Sequence, residues 1–419
     1  MKSFLFIYFL TIMSSMAIAQ FEPNYDETKV PEFSVPDPLT SYSGTKIENE
    51  KAWSKVRRPE LLAFFENEVY GKVPGNLDDI SFKLIEENTN AFNGTAHRKQ
   101  VQVTLEKDKK SLSFTILMYL PKTTEKVPLF LGLNFYGNHT TTSDENVIVT
   151  SAWSMNNEDF GIDNNTPTEK SRGVRINRWD ITNIIASGMG LATIYYGELD
   201  PDKNDFSDGL HQLFYEPGQE KPKADEWGSI AAWAFGLSRA MDYLVQDSAV
   251  GKVIVFGHSR LGKAALWAGA MDDRFAAVIS NDSGCGGAAL SKRRFGETVG
   301  RINESFPHWF CDNFNAYNNN EEALPIDQHQ LLALMAPRPL YVASAQEDEW
   351  ADPKGEFLSA HYATAVYRLF GKTGIDTIEM PEVNTPIQNT VAYHIRTGKH
   401  DVTDYDWKQY IKWVKKVME

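Results

Sequence analysis

The run Val253-Ile254-Val255-Phe256-Gly257-His258-Ser259-Arg260-Leu261-Gly262-Lys263 joins an apolar stretch to an Ala- and Leu-rich one through a Gly-x-Ser turn. A strand-to-helix turn of this kind lifts a serine hydroxyl above the carboxyl edge of a sheet and puts a helix amino terminus beneath developing negative charge. Ser259 is therefore read as a nucleophile in preference to a helix cap. The second glycine of the G-x-S-x-G pattern is displaced, with Leu261 in its place and Gly262 one residue later. A serine nucleophile needs a base and an orienting acid, expected in the order serine, acid, histidine. His400 lies in a glycine-containing loop, Arg396-Thr397-Gly398-Lys399-His400-Asp401, ahead of the last helical segment, and is the expected base. His394 alternates within a strand-like run and reads as structural. Two aspartates, Asp282 and Asp348, stand at strand ends that could reach the histidine; Asp348 is preferred because it occupies the usual place of the acid. Arg260 is a fixed cation directly after the nucleophile, a plausible device for an oxyanion. Lys263 shares its helix face at i,i+3 spacing. Asn134, Tyr136, Gly137, Asn138 and His139 follow a buried strand and are read either as a second oxyanion contact or as a turn. No set of histidines has metal-ligand spacing, and no cofactor is expected.

These residues need a scaffold. Trp53, Leu61, Leu62, Phe64, Phe65 and Val69 recur at helical spacing, which predicts one amphipathic helix over Lys51 to Tyr70. Ile80 to Ile85, Val101 to Leu105 and Leu112 to Leu120 alternate apolar with polar residues, as antiparallel strands do. Val127 to Phe135 and Gly190 to Tyr196 are apolar almost throughout, the pattern of parallel strands buried on both faces. The polar stretch between them, about Asn138 to Arg178, is too long for a simple crossover and reads as a surface insertion near a site or a plain solvent loop. Beyond it helices and strands alternate: helix Glu226 to Val245, strand Lys252 to Phe256, helix Leu261 to Met271, strands Ala276 to Ser280 and Pro339 to Ala345, helix Lys354 to Phe370, and a final helix from Tyr405. That alternation predicts a doubly wound α/β fold with a mostly parallel sheet.

The chain of 419 residues is 42% hydrophobic and 23% charged, an ordinary globular balance. Its 42 Lys and Arg face 56 Asp and Glu, a net charge of −14 that disfavours nucleic acid as a partner. MKSFLFIYFLTIMSSMAIAQ has the charged, apolar and small-residue regions of a secretory signal peptide, residues 1–19, which implies a secreted or periplasmic protein without a membrane anchor after cleavage. Residues 20–50 read as an extended arm and 51–419 as one catalytic domain. Cys285 and Cys311 are the only cysteines, and an exported compartment permits a bridge between them or two separate buried thiols.

Gly257-His258-Ser259-Arg260-Leu261-Gly262-Lys263-Ala264-Ala265-Leu266-Trp267 resembles the nucleophile motif of the glucuronoyl esterases, carbohydrate esterase family 15, whose spacing accounts for the displaced glycine. The likeness continues through Ser283-Gly284-Cys285-Gly286-Gly287, Arg294-Phe295-Gly296-Glu297, Phe306-Pro307-His308-Trp309-Phe310 and Asp348-Glu349-Trp350-Ala351-Asp352-Pro353. The resemblance implies an α/β-hydrolase sandwich that cleaves esters between (4-O-methyl)glucuronic acid of glucuronoxylan and lignin alcohols. By position it assigns Ser259 as nucleophile, His400 as base and Arg260 to the oxyanion, with Lys263, Glu297 and Trp350 holding the sugar acid. Several members carry Glu where Asp282 stands, and the shorter side chain is a reason to keep Asp348 as the acid. Two other functions fit the same residues: an acetylxylan esterase, and an inactive carbohydrate-binding homologue.

Overall fold

The computed structural model describes residues 21–418, so the signal peptide read in residues 1–19 lies outside the described residues. Ten strands form one sheet: β1 (Asp79–Asn90), β2 (Ala96–Lys107), β3 (Lys110–Pro121), β4 (Val127–Asn134), β5 (Gly190–Tyr195), β6 (Val250–His258), β7 (Ala277–Asn281), β8 (Leu340–Ala345), β9 (Ile387–Gln388) and β10 (Val391–Arg396). Their order is β1-β2-β3-β5-β4-β6-β7-β8-β10-β9. The first three pair antiparallel, β1 and β2 roughly alternating in burial while β3, read as alternating, is buried continuously from Ile116 to Leu120 where it meets β5 antiparallel. From β5 through β4, β6, β7 and β8 to β10 every pairing is parallel. The strands of this parallel part are buried along nearly their whole length, because helices cover both faces. This is the mostly parallel α/β sandwich that the alternating pattern implies, and it is of the α/β-hydrolase type that the family resemblance implies.

The first helix departs from a plain α-helix. Glu50–Ala52 and Arg58–Glu68 are α-helical, and Trp53–Arg57 between them is a π-helical turn. Pro59 has no N–H to give to the carbonyl four residues back, and the wider turn absorbs the missing bond. The segment 21–46 is fastened to the body at several points. Glu27 pairs with Arg293 at 2.6 Å and Lys354 at 2.8 Å, the Asn24 carbonyl accepts from the Gly296 N–H at 2.9 Å, and Pro36 O bonds His329 Nε2 at 2.7 Å. Among the described residues no helix is long and apolar enough to cross a membrane.

Candidate active site

Four consecutive carboxyl ends of the parallel sheet converge. Ser259 follows β6, Asp282 follows β7, Asp348 lies three residues beyond β8, and His400 follows β10. Ser259 takes φ 59° and ψ −132°, a conformation that favours glycine, so the hydroxyl is held in a strained turn. A Cβ on Gly257 would lie 1.9 Å from the Leu261 carbonyl, which requires glycine there. The displaced second glycine has its own cause. Leu261 is 1% exposed in the core, whereas a Cβ at Gly262 would meet the Ser283 Cβ at 2.9 Å.

His400 Nδ1 is hydrogen-bonded to Asp348 Oδ2 at 2.6 Å, and the imidazole is 41% exposed while Asp348 is buried. One ligand atom each from Asp282, Asp348 and His400 lie within 4.8 Å of one another, a set that could also gather around a cation, although His400 and Asp348 are already bonded to each other. Asp282 differs. Both its oxygens are buried without a hydrogen-bond partner, and the Arg396 guanidinium stands 3.6 Å away. Burial, followed by the charges of Glu356 and Asp348, pushes its carboxyl well above the usual range against the pull of Arg396.

Glu356 gave no signal in the sequence. Its Oε1 accepts the N–H groups of Ser283 at 2.8 Å and Gly284 at 3.0 Å, and its Oε2 accepts Ser344 Oγ at 2.6 Å, so it ties the loop after β7 to β8. Burial pushes its pKa up to about 8. A folded-state pKa raised from about 4.5 gives stability that is complete below the unfolded value and is lost as pH rises through about 8. Glu356→Gln keeps both acceptor contacts and can donate to Ser344, so the fall in melting temperature between pH 5 and pH 8.5 should shrink by about one to two degrees, what roughly 1 kcal/mol shifts in a chain of this length. Calorimetry at both pH values checks this; an equal fall in parent and variant counts against it.

His258, the residue before the nucleophile, bonds Asn281 Oδ1 through Nδ1 at 2.6 Å and lies ring to ring with His400 at 4.5 Å. Burial first, and then the positive neighbours His400 and Arg178, keep it well below the usual imidazole range. His258, Ser259, Arg260 and His400 line one cavity of about 250 Å³. The Arg260 guanidinium is bonded to Asp202 and lies 4.9 Å from the Trp309 ring centre. Burial alone would raise Asp202, yet bonds from His308 at 2.8 Å and Trp309 at 2.7 Å, with the Arg260 charge, hold it at about 2. Asn134 makes the turn after β4: Oδ1 accepts the Gly137 N–H at 2.8 Å and Nδ2 donates to Asn138 Oδ1 at 2.7 Å. His394 bonds Asp406 at 2.9 Å and Tyr341 at 2.9 Å, fully buried.

Lys263 is 4% exposed, and its ammonium donates to the Ser283 carbonyl at 2.5 Å, 5.8 Å from the Trp309 ring centre. Burial lowers the Lys263 pKa against the pull of Glu297, and burial raises that of Glu297 against the pull of Lys263. Gly296, at φ +63°, brings its backbone close to Trp350, where a Cβ would lie 2.5 Å from the carbonyl, and the Glu297 N–H donates to that carbonyl at 3.1 Å. Glu297 and Trp350 thus adjoin through their backbones, and Lys263 is near enough to Glu297 for their charges to interact. The permitted bridge between Cys285 and Cys311 is not formed. Both are free, buried thiols, and Cys311 Sγ contacts the Asn67 carbonyl at 3.7 Å. Spacing in the sequence carried no information on where the two side chains point, and here each packs separately into the core.

A family model for fungal glucuronyl esterases matches residues 165–371. Carbohydrate esterase MZ0003, from an unknown prokaryotic organism, is 52% identical over 392 residues, 93% of this chain and 90% of that protein. Among solved structures, a promiscuous CE15 esterase from a marine bacterial metagenome superposes with a TM-score of 0.89 at 51% identity, covering 95% of this chain and 100% of that one. A glucuronoyl esterase from Solibacter usitatus gives 0.87 at 46% identity, covering 93% and 99%. Identity at this level, over nearly the whole of both partners in each comparison, means that the chain belongs to the glucuronoyl esterases of carbohydrate esterase family 15.

Proposed function

We propose that the chain hydrolyses esters between the carboxyl group of (4-O-methyl)glucuronic acid, a side group of glucuronoxylan, and the alcohols of lignin. The observation that carries this reading is a strained Ser259 in the same cavity as His400, whose other nitrogen is bonded to Asp348. In the reaction Ser259 Oγ attacks the ester carbonyl while His400 takes its proton. Asp348 holds the imidazole in the tautomer with a bare Nε2 and stabilises the imidazolium that forms. The carbonyl oxygen becomes an oxyanion beside the Arg260 N–H, which has no partner within the helix because it opens it, and beside the Arg260 guanidinium fixed by Asp202. His400 then gives the proton to the leaving alcohol, and water attacks the acyl-enzyme by the same route. Asp282, whose oxygens make no hydrogen bond to His400, is the alternative acid and takes no proton in this scheme.

Lys263, Glu297 and Trp350 hold the sugar acid. The esterified carboxyl carries no charge, so selectivity has to come from ring hydroxyls and from stacking. Trp350, 37% exposed beside Glu297, offers the stacking face. The leader in residues 1–19 places the reaction outside the cytoplasm, where plant cell-wall polymers are, and residues 20–50 remain as an arm on the catalytic domain 51–419.

Hydrolysis of benzyl glucuronate beside a matched acetylated xyloside tests this function. The glucuronate ester should be cleaved at least about tenfold faster in kcat/KM, since unpaired hydroxyl contacts cost the competing ester ~1 to 3 kcal/mol each. Faster release of acetate would make the chain an acetylxylan esterase, and failure of a fluorophosphonate probe to label Ser259 would make it a binding protein.

A further inference from the structure

The residues proposed to hold the sugar acid line none of the 250 Å³ cavity beside Ser259, so in that reading the cavity is left to the alcohol. Its outer wall is Phe135, Tyr136, Phe160, Arg175 and Arg178, of which the last three come from the polar insertion between β4 and β5. The rings pack edge to face, Tyr136 against Phe160 at 5.1 Å, and suit a planar aromatic group.

The charges on that wall do not balance. Arg178 donates through Nε to Asp401, and Arg175 Nη2 stands 3.6 Å from the same carboxylate oxygen, so one carboxylate serves two guanidinium groups. The Arg175 guanidinium makes no hydrogen bond among the described residues, its Nε is buried without a partner, and it lies 5.4 Å from the Phe160 ring centre with the side chain only 18% exposed. Two more deeply buried guanidinium groups, by contrast, bond through all three of their nitrogens. Arg98 binds Glu86 through two nitrogens and Asp144 through a third, and Arg172 binds Glu169 through two nitrogens and the carbonyls of Asp144 and Val147 through the third. A largely buried guanidinium none of whose five N–H donors is hydrogen-bonded fits a planar anion, which it can meet with two parallel bonds.

We propose that this cavity is a subsite for the alcohol moiety and selects an aromatic alcohol that carries a carboxylate, anchored by Arg175. The inference rests on the proposed glucuronate-ester reaction for the acyl side, and extends it to the leaving group. The carboxylate lies on the outer wall and takes no part in bond breaking.

Three glucuronate esters separate the possibilities: those of 4-(hydroxymethyl)benzoate, 4-(hydroxymethyl)benzamide and benzyl alcohol. The carboxylate ester should exceed its carboxamide analogue about tenfold in kcat/KM at low ionic strength, mostly through KM, and the ratio should shrink as salt is raised. Arg175→Gln should bring the ratio close to one, and Arg175→Lys should keep part of it. A ratio near one in the parent enzyme, or an undiminished ratio in Arg175→Gln, overturns the proposal. Calorimetric titration of the two free alcohols into the intact enzyme reads the same preference without turnover. Preferential binding of the benzoate that depends on Arg175 therefore supports the subsite even if benzyl glucuronate proves a poor substrate, and equal binding refutes it. An ester of an aliphatic hydroxy acid, cleaved as well as the benzoate, would refute the aromatic part.

Discussion

Ser259→Ala should lose ester hydrolysis by about four orders of magnitude or more, because triad members act as a unit and the remaining groups have no nucleophile to activate. Its melting temperature should stay where it was. Ser259 makes no side-chain capping bond at the start of helix Arg260–Met271, and alanine inherits the same φ of 59° and the same strain. Ser259→Gly is the informative companion, since glycine takes that conformation freely. It should be equally inactive yet melt above Ser259→Ala, with a gain on the order of 1 kcal/mol after the entropy of the extra glycine is subtracted. Initial rates on benzyl glucuronate and calorimetric melting of the three proteins check both statements. Retention of more than about a hundredth of the parent rate in Ser259→Ala would remove Ser259 from the nucleophile's role. Equal melting of the alanine and glycine forms would mean that the turn stores no strain.

The positions of these groups were legible where local pattern decides. The continuous apolar runs of β4, β5 and β6 and the Gly257-x-Ser259 turn are short-range signals, and they led to the parallel sheet and to the residue at its edge. The loop before the last helix pointed to His400 for the same reason. The groups that escaped notice act across long stretches of chain. Asp202 fixes Arg260 from 58 residues away, and Glu356 ties down Ser283 from 73 residues away. An aspartate in a polar loop, or a glutamate in the first turn of a helix, looks in sequence like ordinary solvated surface. Only the tertiary structure shows that both are buried. The insertion between β4 and β5 was recognisable by its length, but which of its many polar residues face the nucleophile depends on how about 40 residues with only short 3-10 turns fold back, and no periodicity encodes that. The two cysteines illustrate the limit from the other side: compartment permits a bridge, and geometry decides.

Asp348 and Asp282 were both readable as acids, and the structure supplies a physical reason for unequal effects when each is amidated. Asp348 Oδ2 meets His400 Nδ1 at 2.6 Å, whereas neither oxygen of Asp282 has a hydrogen-bond partner. Asp348→Asn replaces a carboxylate that faces the imidazolium of the transition state by a neutral amide, whose NH2 can also hold His400 in the wrong tautomer. The loss in kcat should be about a hundredfold to ten-thousandfold, with KM little changed, because the interaction strengthens only as His400 becomes charged. Asp282 is different because neither of its oxygens is hydrogen-bonded and burial favours its uncharged form, which an amide of nearly the same shape mimics. Asp282→Asn should therefore cost less than about tenfold, and it should not lower the melting temperature, since no bond made by the carboxyl is lost. The double variant should be no worse than the sum of the two. Steady-state kinetics of the three variants on benzyl glucuronate reads the order directly. A larger loss in Asp282→Asn than in Asp348→Asn would transfer the acid's role to the end of β7, and would require Asp282 to turn toward His400 once substrate fills the cavity.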